Sequence, residues 1–545
     1  MIKSLFKVGI VSLLVLSAGF ATAISEHREK EWAFLIFLNG NNNLAEFGDL
    51  NINQLETIGS TDQVDVIVQW AKTGVDNTYR LRVEKDADDK KVTSPFIETL
   101  PRVDMGDYKK LVEFVKWSHE HYPAKHYFVS FWNHGSGWTR RSGQITKGVS
   151  YDDYSGNHIT TEQMGIAMRE IKQIIGHNVD LVGADACLMQ MGEVASQMQD
   201  SVDYYVASEE LEPGLGWPYH TFLDRWVKNP QANGGEVGTF LVEEYFTYLG
   251  ATDNITLSTM NLNRLPELWA SFRKLNSMLV NQNDDTLRKL MAATSGAQGF
   301  PNADAIDLGH WLKKGSEARL IDAQTIEDVH TALKNVIISN KTAAIFKDAE
   351  GLSFWVPTTK SGLDAYAQRY AQLVWTQETG WDQVLGKLLT LPVCVLAPNG
   401  QWASEVVAVS SEYGTGQDQW AASQVLGACN TGRYGDNGTA WAPKEMNNPE
   451  ESITVGFATA VHADGAIVRE TLDTGFVTKI EAIDDAGTIH VVWQGEDVAT
   501  NGTISDFTAN WERTEYLVKA LKISLNTAKN SSWEEIDSIT LLGTP

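Results

Sequence analysis

The sequence predicts an α/β fold with a mainly parallel sheet and flanking helices, followed by a separate β-rich domain. The parallel sheet is predicted because continuous apolar runs alternate with helical patterns from residue 32 to about residue 250. Strands covered on both faces have continuous apolar sequences of this kind. The second domain is predicted because short alternating segments, separated by Gly, Asp and Asn, begin after Leu391.

The predicted elements follow in chain order. Helical spacing places Leu111, Phe114 and Val115 on one face, and Thr160 with Gln163 forms a capping box that opens a helix to about residue 175. Another helical pattern covers 188–198. The carboxyl ends of parallel strands are where functional groups gather in such folds. The five apolar runs predicted as strands are 32–38, 64–68, 126–132, 180–184 and 203–208.

Residues 260–390 are mostly helical in pattern, and the chain then changes character. Helices are predicted over 265–279, 325–338 and 363–375, with one strand-like segment at 351–356. Three alternating segments of the second domain, at 405–410, 452–457 and 489–493, indicate a sandwich or barrel. We therefore divide the chain into an N-terminal signal over 1–23, a first domain over 24–390 and a β-rich domain of unassigned role over 391–545.

The N-terminal segment is typical of a secretory signal peptide. Lys3 and Lys7 precede an apolar run over 8–20, and small residues follow at 21–23. The run is shorter than the roughly 20 residues that span a bilayer, so a membrane span is not predicted. The mature chain is expected to begin near Ile24 and to reside in the periplasm or outside the cell.

The charge balance excludes one class of partner. The chain has 545 residues, of which 44 are Lys or Arg and 70 are Asp or Glu, for a formal net charge of −26. Such an acidic surface repels nucleic acid and anionic lipid, and no basic stripe offsets it. The expected partners are therefore protein or peptide substrates and not nucleic acid.

Three cysteines are too few for a disulfide framework. Cys394 and Cys429 could pair in an oxidising compartment, or they could be two buried free thiols. Either way Cys187 is the odd thiol, and its sequence surroundings suggest a use for it.

His134 and Cys187 are the candidate catalytic pair. Each follows an apolar run, and His134 precedes Gly135-Ser-Gly137, where glycines leave room for a turn. The helical pattern after Cys187 predicts a thiol at a helix N-terminus, which favours the thiolate. A histidine with a pKa near its reference of about 6.5 can protonate a leaving amine. Purely structural roles are the alternatives: an inert buried cysteine and a hydrogen-bonded histidine in a turn. The spacing of 53 residues between the two is nevertheless close to the His-before-Cys spacing of about 50 in caspases.

Several motifs then carry a resemblance to a known family. The segments 133–138 (Asn-His-Gly-Ser-Gly-Trp) and 185–189 (Asp-Ala-Cys-Leu-Met) resemble the His and Cys motifs of the clostripain-like cysteine peptidases, which share the caspase, legumain and gingipain architecture. The segments 32–43, 208–218 and 351–357 are similar to further family motifs in the same order. The resemblance covers about residues 32–388 and leaves the C-terminal β region outside it.

The resemblance implies an exported cysteine endopeptidase that works through a His-Cys dyad. Cys187 would attack the peptide carbonyl to form a thioester, and His134 would protonate the departing amine. The backbone N–H groups of Gly135 and Cys187 would form the oxyanion hole. No third catalytic residue is implied.

The resemblance also implies a substrate preference. Asp185 is placed at the floor of the S1 pocket, where it would favour Arg or Lys at P1. The bland alternative is a carboxylate that accepts backbone hydrogen bonds. Basic-specific members often carry a second acid at the position of Leu215, so P1 choice could be relaxed or apolar here. Ser208 and Glu209 are expected to border the substrate cleft, with the strand at 206–209 available to pair with an extended peptide. The side chains of Glu209, Glu210 and Glu212 are expected to be solvated, or else to attract basic peptides.

Two further properties follow from the resemblance. The polar segment 139–147 is a candidate for self-cleavage at Arg140, Arg141 or Lys147, or else an uncleaved surface loop. No cofactor is required, but Ca²⁺ is possible. Adjacent carboxylates at 152 and 153 are compatible with a calcium site, although a turn is the simpler interpretation.

Other functional classes were compared with the peptidase. The main alternative is a secreted, catalytically inactive peptidase-like protein that binds glycans or surface proteins, which the 18 tryptophans and the β domain would fit. A glycosidase would need a pair of carboxylates across a cleft, and none stands out. A metallohydrolase is disfavoured because His119 and His121, two residues apart, lie on different helix faces and no His-Glu-x-x-His motif is present.

Overall fold

The computed structural model describes residues 28–88, 90–138, 148–250, 254–300, 304–357, 360–391, 394–529 and 532–545. Their buried apolar side chains form two separate clusters, one within residues 32–388 and one within residues 403–541. Within these ranges no helix combines the length and the apolar character needed to cross a membrane. The predicted signal over 1–23 lies outside the described residues, and the boundary at 390/391 stays a prediction.

A nine-stranded mixed sheet forms the centre of the first cluster. Its order is β13-β10-β9-β8-β5-β1-β2-β3-β4, and the strands are β1 (Lys30–Gly40), β2 (Val64–Lys72), β3 (Asn77–Arg82), β4 (Phe96–Pro101), β5 (Ala124–Trp132), β8 (Val179–Asp185), β9 (Val202–Ala207), β10 (Thr256–Asn261) and β13 (Ile337–Thr342). The run from β9 through β8, β5 and β1 to β2 is parallel throughout, and the outer strands are antiparallel. The five strands predicted from apolar runs are these five parallel ones, which confirms the predicted fold class.

Short strands and helices complete this part of the chain. A hairpin of β6 (Val149–Asp152) and β7 (Asn157–Ile159) follows β5, and β11 (Gly299–Phe300), β12 (Ala305–Asp307) and β14 (Ser353–Trp355) form a small antiparallel sheet. The helices are α1 (Ala45–Glu56), α2 (Tyr108–His121), α3 (Thr161–Ile175), α4 (Gly192–Met198), α5 (Tyr219–Val227), α6 (Gly234–Leu249), α7 (Leu265–Val280), α8 (Asp284–Thr294), α9 (Leu308–Glu317), α10 (Ala323–Val336), α11 (Lys360–Asp364), α12 (Ala367–Tyr370), α13 (Val374–Thr379) and α14 (Trp381–Leu388).

The local signals that predicted helices α2 and α3 are present in the structure. In α2 the predicted face is buried, including Leu111, Phe114 and Val115. Helix α3 begins with the predicted capping box, in which Thr160 accepts from the backbone of Gln163 and the Gln163 side chain accepts in return. These signals depend on residues three or four apart, so the sequence carries them completely.

Two helix predictions are wrong. The pattern at 188–198 becomes a loop followed by the short helix α4, and the single helix predicted over 363–375 becomes the three short helices α11, α12 and α13. In the second case Tyr370 donates to the Glu193 carboxylate and accepts from Trp375 Nε1, both at 2.8 Å. A continuous helix would turn two residues five apart by about 140° from one another, so this buried contact requires the break.

The second cluster is an antiparallel β domain. Its sheet order is β15-β21-β16-β20-β17-β18, with β19 paired to β16; the strands are β15 (Gly400–Val409), β16 (Glu451–Leu472), β17 (Val477–Asp484), β18 (Ile489–Gln494), β19 (Ser505–Asn510), β20 (Val518–Leu525) and β21 (Glu535–Thr544). The first part of β16 pairs with β15 and β20, and the later part with β19 and β21. Cys394 and Cys429 form a disulfide with their Cα atoms 6.0 Å apart, and Cys187 is free.

Candidate active site

The edge where β5 and β8 end brings the predicted catalytic residues together. Trp132, the last residue of β5, is in register with Asp185, the last residue of β8. The backbone N–H of Asn133 donates to the carbonyl of Asp185 at 3.2 Å. His134 and Cys187 each lie two residues beyond these register partners. The parallel pairing therefore places the two candidate residues on adjacent loops at the carboxyl edge of the sheet.

Gly135 shows how closely the two loops approach. A Cβ atom added at Gly135 would lie 2.3 Å from the carbonyl oxygen of Cys187, and 3.0 Å from the side chains of Ala186 and Met189. Gly137, by contrast, has φ +60°, where glycine is favoured for its conformation. Of the two glycines after the histidine, the first provides room against Cys187 and the second provides the turn.

We expect Gly135→Ala to lower both stability and activity. The added methyl has to displace the Cys187 backbone, and overpacking of this kind costs about 1–3 kcal/mol. Thermal unfolding and kcat/KM would be measured beside Gly386→Ala, where a Cβ meets nothing within 4 Å. Equal stability and equal activity of the two variants would contradict the close approach of the loops.

The side chain of His134 is oriented by an asparagine from another loop. Its Nε2 lies 2.7 Å from Oδ1 of Asn43, three residues beyond the end of β1. An amide oxygen only accepts hydrogen bonds, so Nε2 carries the hydrogen and Nδ1 is the basic nitrogen of the neutral ring. The neighbouring Asn133 anchors the loop, because its side chain donates to the carbonyl of Asn39 and accepts from the N–H of Tyr151.

Cys187 does not lie at a helix N-terminus, so the predicted macrodipole effect is wrong. Helix α4 begins only at Gly192, and Leu188 has φ +63°, which ends any helical continuation from the cysteine. The half-buried thiol accepts from the backbone N–H of Glu212 at 3.2 Å. Burial raises the pKa of Cys187, and the charges of Asp185 and Glu210 raise it further. The unliganded site thus holds a thiol.

The segment after β9 closes over the cysteine loop. Leu188 N–H donates to the carbonyl of Glu210 at 3.1 Å, and Gln190 N–H donates to that of Ser208 at 2.9 Å. Strand β9 itself pairs with β8 on one side and β10 on the other. Strand β9 thus lies between two other strands and has no free edge where both pair with it. Pairing of an extended peptide with the segment 206–209 stays a prediction for Ser208 and Glu209, which lie beyond the end of the strand.

Ser208 and Glu209 are buried in this segment. The Ser208 hydroxyl contacts the Thr256 hydroxyl at 3.0 Å, and Glu209 is 2% exposed. Burial raises the pKa of Glu209 well above its usual range, and the charge of Asp307 adds to the effect. The expectation that this glutamate is solvated is wrong. Substrate contact by these two residues stays a prediction.

Asp185 is a buried carboxyl group next to the cysteine. It is 6% exposed, and one of its oxygens accepts from the Tyr219 hydroxyl at 2.8 Å and from the Trp217 N–H at 3.3 Å. Burial raises its pKa against the lowering effect of these donors. The donors therefore fix the orientation of the Asp185 carboxyl group, but they do not offset the effect of burial, which favours its protonated form.

Glu212 is a second acid beside Asp185 and Cys187, and the sequence predicted it only as a solvated glutamate or one that attracts basic peptides. Its carboxyl oxygens are buried and accept no hydrogen bond of standard geometry from a described residue. Burial raises its pKa well above the usual range, and the charges of Asp185 and Cys187 raise it further. Two carboxyl groups thus lie beside the nucleophile. Among the described residues, neither of them forms an ion pair with a cationic side chain.

Leu215 lies at the rim and not in the pocket. Its side chain is 41% exposed, and its carbonyl accepts from the Asn51 side chain at 3.0 Å. The next residue, Gly216, has φ +65°, and a Cβ there would lie 2.8 Å from the Asp185 carboxylate. Position 212, and not position 215, therefore brings the second carboxyl beside Asp185.

The remaining predicted site residues lie elsewhere. Asp152 is buried and accepts from the Asn41 side chain and from the N–H groups of Met105, Tyr154 and Ser155, as expected of a turn. Among the described residues no group of three His, Cys, Asp or Glu side chains is arranged to hold a metal ion. Arg140, Arg141 and Lys147 lie outside the described residues.

Comparison with known proteins decides the family. Residues 36–388 match the model of the clostripain family, Peptidase_C11. The chain belongs to the clostripain family. Clostripain from Hathewaya histolytica is 28% identical over 226 residues, an alignment that spans 40% of this chain and 41% of that protein. The C-terminal β domain lies outside the family match.

Solved structures show the same fold in other members. A secreted C11 cysteine protease from Bacteroides thetaiotaomicron, in complex with an irreversible peptide inhibitor, has 20% identity and a TM-score of 0.51, and the match covers 65% of this chain and 99% of that one. An inactive zymogen C11 protease from Parabacteroides distasonis also has 20% identity and a TM-score of 0.51, covering 64% and 98%. The clostripain-family fold thus accounts for the first hydrophobic cluster of this chain.

Two residues of this clostripain-family site escaped prediction. Asn43 stands in a motif that supported the resemblance, but nothing local to it indicates contact with His134, 91 residues away. Glu212 follows two other glutamates, so composition alone favoured a solvated surface. Its sequence position was the available indication, because Glu212 comes four residues after Ser208, at the end of a predicted buried strand, and directly before Pro213-Gly214.

Proposed function

We propose that this chain is an exported cysteine endopeptidase that cleaves after Arg or Lys through a His134–Cys187 dyad. The observation that carries the proposal is the register of Trp132 with Asp185, which puts both candidate residues on contacting loops at one sheet edge. Membership of the clostripain family supports the same chemistry. A nucleophile and a base held side by side, with the base oriented by a third group, are the parts that acyl transfer requires.

The dyad would work through a thioester. Nδ1 of His134, the nitrogen left basic by Asn43, takes the thiol proton, and the Cys187 sulfur attacks the peptide carbonyl carbon. The N–H groups of Gly135 and Cys187 stabilise the resulting oxyanion. The intermediate collapses with loss of the amine, which receives the proton from His134. Water, deprotonated by His134, then hydrolyses the thioester, and the thiol is restored.

Formation of the ion pair would activate the nucleophile. Burial and nearby acids raise the pKa of Cys187 in the unliganded protein, so the thiolate needs a compensating positive charge. Imidazolium at His134 supplies that charge at the moment of proton transfer. A cationic side chain bound beside Asp185 and Glu212 would neutralise two of the groups that oppose the thiolate, and thus couple substrate binding to activation.

The pair of carboxyl groups supports basic P1 specificity. Among the described residues, Asp185 and Glu212 are buried together without a cationic partner, an arrangement that costs free energy until one binds. A guanidinium can donate to two carboxylates at once, and an ammonium can interact with both as a point charge. Glu212 would thus supply the second acid for a basic P1 side chain, which Leu215 cannot supply.

The test is cleavage of fluorogenic peptides that differ only at P1, by the purified mature chain with and without Ca²⁺. We expect cleavage after Arg and Lys, and no cleavage by the Cys187→Ala variant. Cleavage after apolar P1 residues alone would retain the dyad and refute the role of the acid pair. Thiol-independent cleavage, or none, would refute the peptidase proposal.

The proposed specificity also predicts a pH dependence. The pKa values of Asp185 and Glu212 are both raised, so these groups gain protons as the pH falls towards the acid side of neutrality. A cationic P1 side chain favours their ionised forms. We expect kcat/KM for a P1 Arg peptide to fall more steeply with decreasing pH than kcat/KM for any apolar P1 peptide that is cleaved. Parallel profiles would contradict ionisation of the pair during binding.

Export, processing and calcium dependence are further parts of the proposal. The disulfide between Cys394 and Cys429 supports an oxidising location. Self-cleavage at Arg140, Arg141 or Lys147 would yield new termini detectable by mass spectrometry in the active chain and missing in Cys187→Ala. A role for Ca²⁺ stays a prediction, which the assay with and without the ion decides.

A further inference from the structure

A pocket in the C-terminal β domain is lined by three aromatic rings and two acidic side chains. Its volume is about 130 Å³, and the residues that line it are Tyr413, Trp420, Asp436, Ala442, Leu472, Ser532, Trp533 and Glu535. They come from the loops after β15, from the end of β16 and from the start of β21. Nothing in the dyad mechanism uses this pocket, and the clostripain family match ends before it.

The pocket is lined by three rings, of which Tyr413 packs edge to face against the other two. Tyr413 stands at 75° to Trp420 and at 83° to Trp533, with ring centroids 5.7 and 5.8 Å apart. A flat, neutral ligand such as a sugar ring stacks best on a single broad face. Rings set nearly perpendicular to one another instead surround a compact group on several sides, as in the aromatic cages that bind quaternary ammonium.

Trp420 is held in an unfavourable backbone conformation. Its φ is +58°, in the left-handed region that a bulky residue rarely occupies. Its indole N–H donates to Asp436 at 2.8 Å and to Glu535 at 3.1 Å, and these two hydrogen bonds fix the orientation of the ring. Strain of this kind persists where the surrounding structure enforces it and is concentrated at functional sites.

The pocket has two acidic side chains, Asp436 and Glu535, and no Lys or Arg is among the described residues that line it. Burial, aided by repulsion from Asp436, raises the pKa of Glu535 to about 8, so this group is largely protonated in the empty pocket at neutral pH. A bound cation would favour its ionised form. The indole N–H of Trp420 is already used by these two acidic groups, and Glu535 also accepts from the N–H of Asn437. The buried indole N–H of Trp533 has no hydrogen-bond partner among the described residues, so a ligand that also carries an acceptor, as the choline hydroxyl does, could use it.

We propose that this pocket binds a compact organic cation, a trimethylammonium group, between Tyr413, Trp420 and Trp533. Ring faces attract such a cation through their quadrupoles, and the carboxylates supply the counter-charge. The group could belong to a small soluble compound or to a choline lipid headgroup. This binding is independent of the proposed peptidase activity.

The test is titration of the full mature chain, carrying Cys187→Ala to prevent self-cleavage, with choline and tetramethylammonium by calorimetry. The matched neutral probe is 3,3-dimethylbutan-1-ol, which has the shape of choline without its charge. We expect saturable binding of both cations and much weaker binding of the neutral isostere. Equal binding of choline and the isostere, or no binding of either cation, would overturn the proposal.

Variants locate the binding. Tyr413 is 57% exposed and Asp436 is exposed, so we expect Tyr413→Ala and Asp436→Asn to leave the domain folded, which unchanged thermal unfolding would verify. Each should weaken choline binding about five- to thirtyfold. Tyr154→Ala, which removes a 70% exposed aromatic ring from the first domain, should leave it unchanged. An unaltered affinity in both pocket variants would refute the assignment.

Two further arms distinguish the ligand's source and its class. Retention of the protein on phosphatidylcholine vesicles, lost in Asp436→Asn, would assign the headgroup of a lipid, whereas choline binding without retention would assign a soluble compound. Methyl pyranosides are the competing class. Competition between a pyranoside and choline, with the pyranoside bound more tightly, would overturn the cation assignment in favour of a saccharide.

Discussion

Replacing Cys187 with alanine is expected to lower kcat/KM by about 10⁴- to 10⁶-fold, the range found when a covalent nucleophile is removed. The sulfur forms the bond that creates the thioester, and no other thiol is free, because Cys394 and Cys429 are joined. Hydrolysis of P1 Arg peptides would be compared for the two proteins at matched concentration. The free energy of thermal unfolding should change by about 1 kcal/mol or less, since the substitution removes one hydrogen bond to the half-buried thiol.

A double variant separates a dyad from two independent contributions. His134→Ala alone should be nearly as damaging as Cys187→Ala, and the combined variant should be no worse than the more damaging single one, because residues that act as a unit are non-additive. If the fold-losses in kcat/KM of the two single variants multiplied in the double variant, His134 and Cys187 would contribute independently and not as a dyad. Asn43→Ala provides a graded control, since it removes the partner of Nε2 and leaves both dyad residues in place.

Neutralising the acid pair is expected to change specificity more than rate. Asp185→Asn keeps the shape of the side chain and its acceptor for Tyr219, and Glu212→Gln is similarly close in size. Loss of one partner of a buried charge contact should lower kcat/KM for P1 Arg about 10²- to 10³-fold. Peptides with apolar P1 residues should be affected much less, and cleavage rates for the two classes measured side by side provide the comparison.

Leu215→Ala is the matched control for this experiment. Leu215 lies at the rim of the same pocket but is exposed and carries no charge, so its loss should alter both classes of peptide by a small and similar factor. A large change of P1 preference in Leu215→Ala, together with none in Glu212→Gln, would transfer the specificity role to the rim. A general loss of folding in Asp185→Asn would appear in thermal unfolding and be separated from a loss of specificity.

The fold was largely predictable from sequence. Each of the five parallel strands was marked by its own apolar run, and the capping box at Thr160 marked the start of α3. The outer antiparallel strands β3 and β4 were not predicted, since their half-exposed patterns are shorter and weaker. The helix predicted over 363–375 failed for another reason, since contacts of Tyr370 with Glu193 and Trp375 break it.

The site was predictable in its chemistry but not in its electrostatics. His134 and Cys187 were identified by their place after apolar runs, and parallel register brings them to one edge. The helix N-terminus expected to lower the pKa of Cys187 does not exist, and burial raises that pKa instead. The sequence noted Leu215 where basic-specific members often carry an acid, but it did not predict that Glu212 lies beside Asp185.

Apolar periodicity and glycine placement are local properties of the chain, so they indicated the order of buried strands, the two candidate catalytic residues and the change to a β-rich domain. The hydrogen bond from Glu212, 25 residues beyond Cys187, to the thiol and the burial of Glu212 beside Asp185 became visible only in the folded chain. The same is true of the cysteine pairing and of the rings that line the pocket of the β domain. Burial and charge proximity depend on segments that are distant in sequence, so pKa values and pockets emerge only when those segments pack.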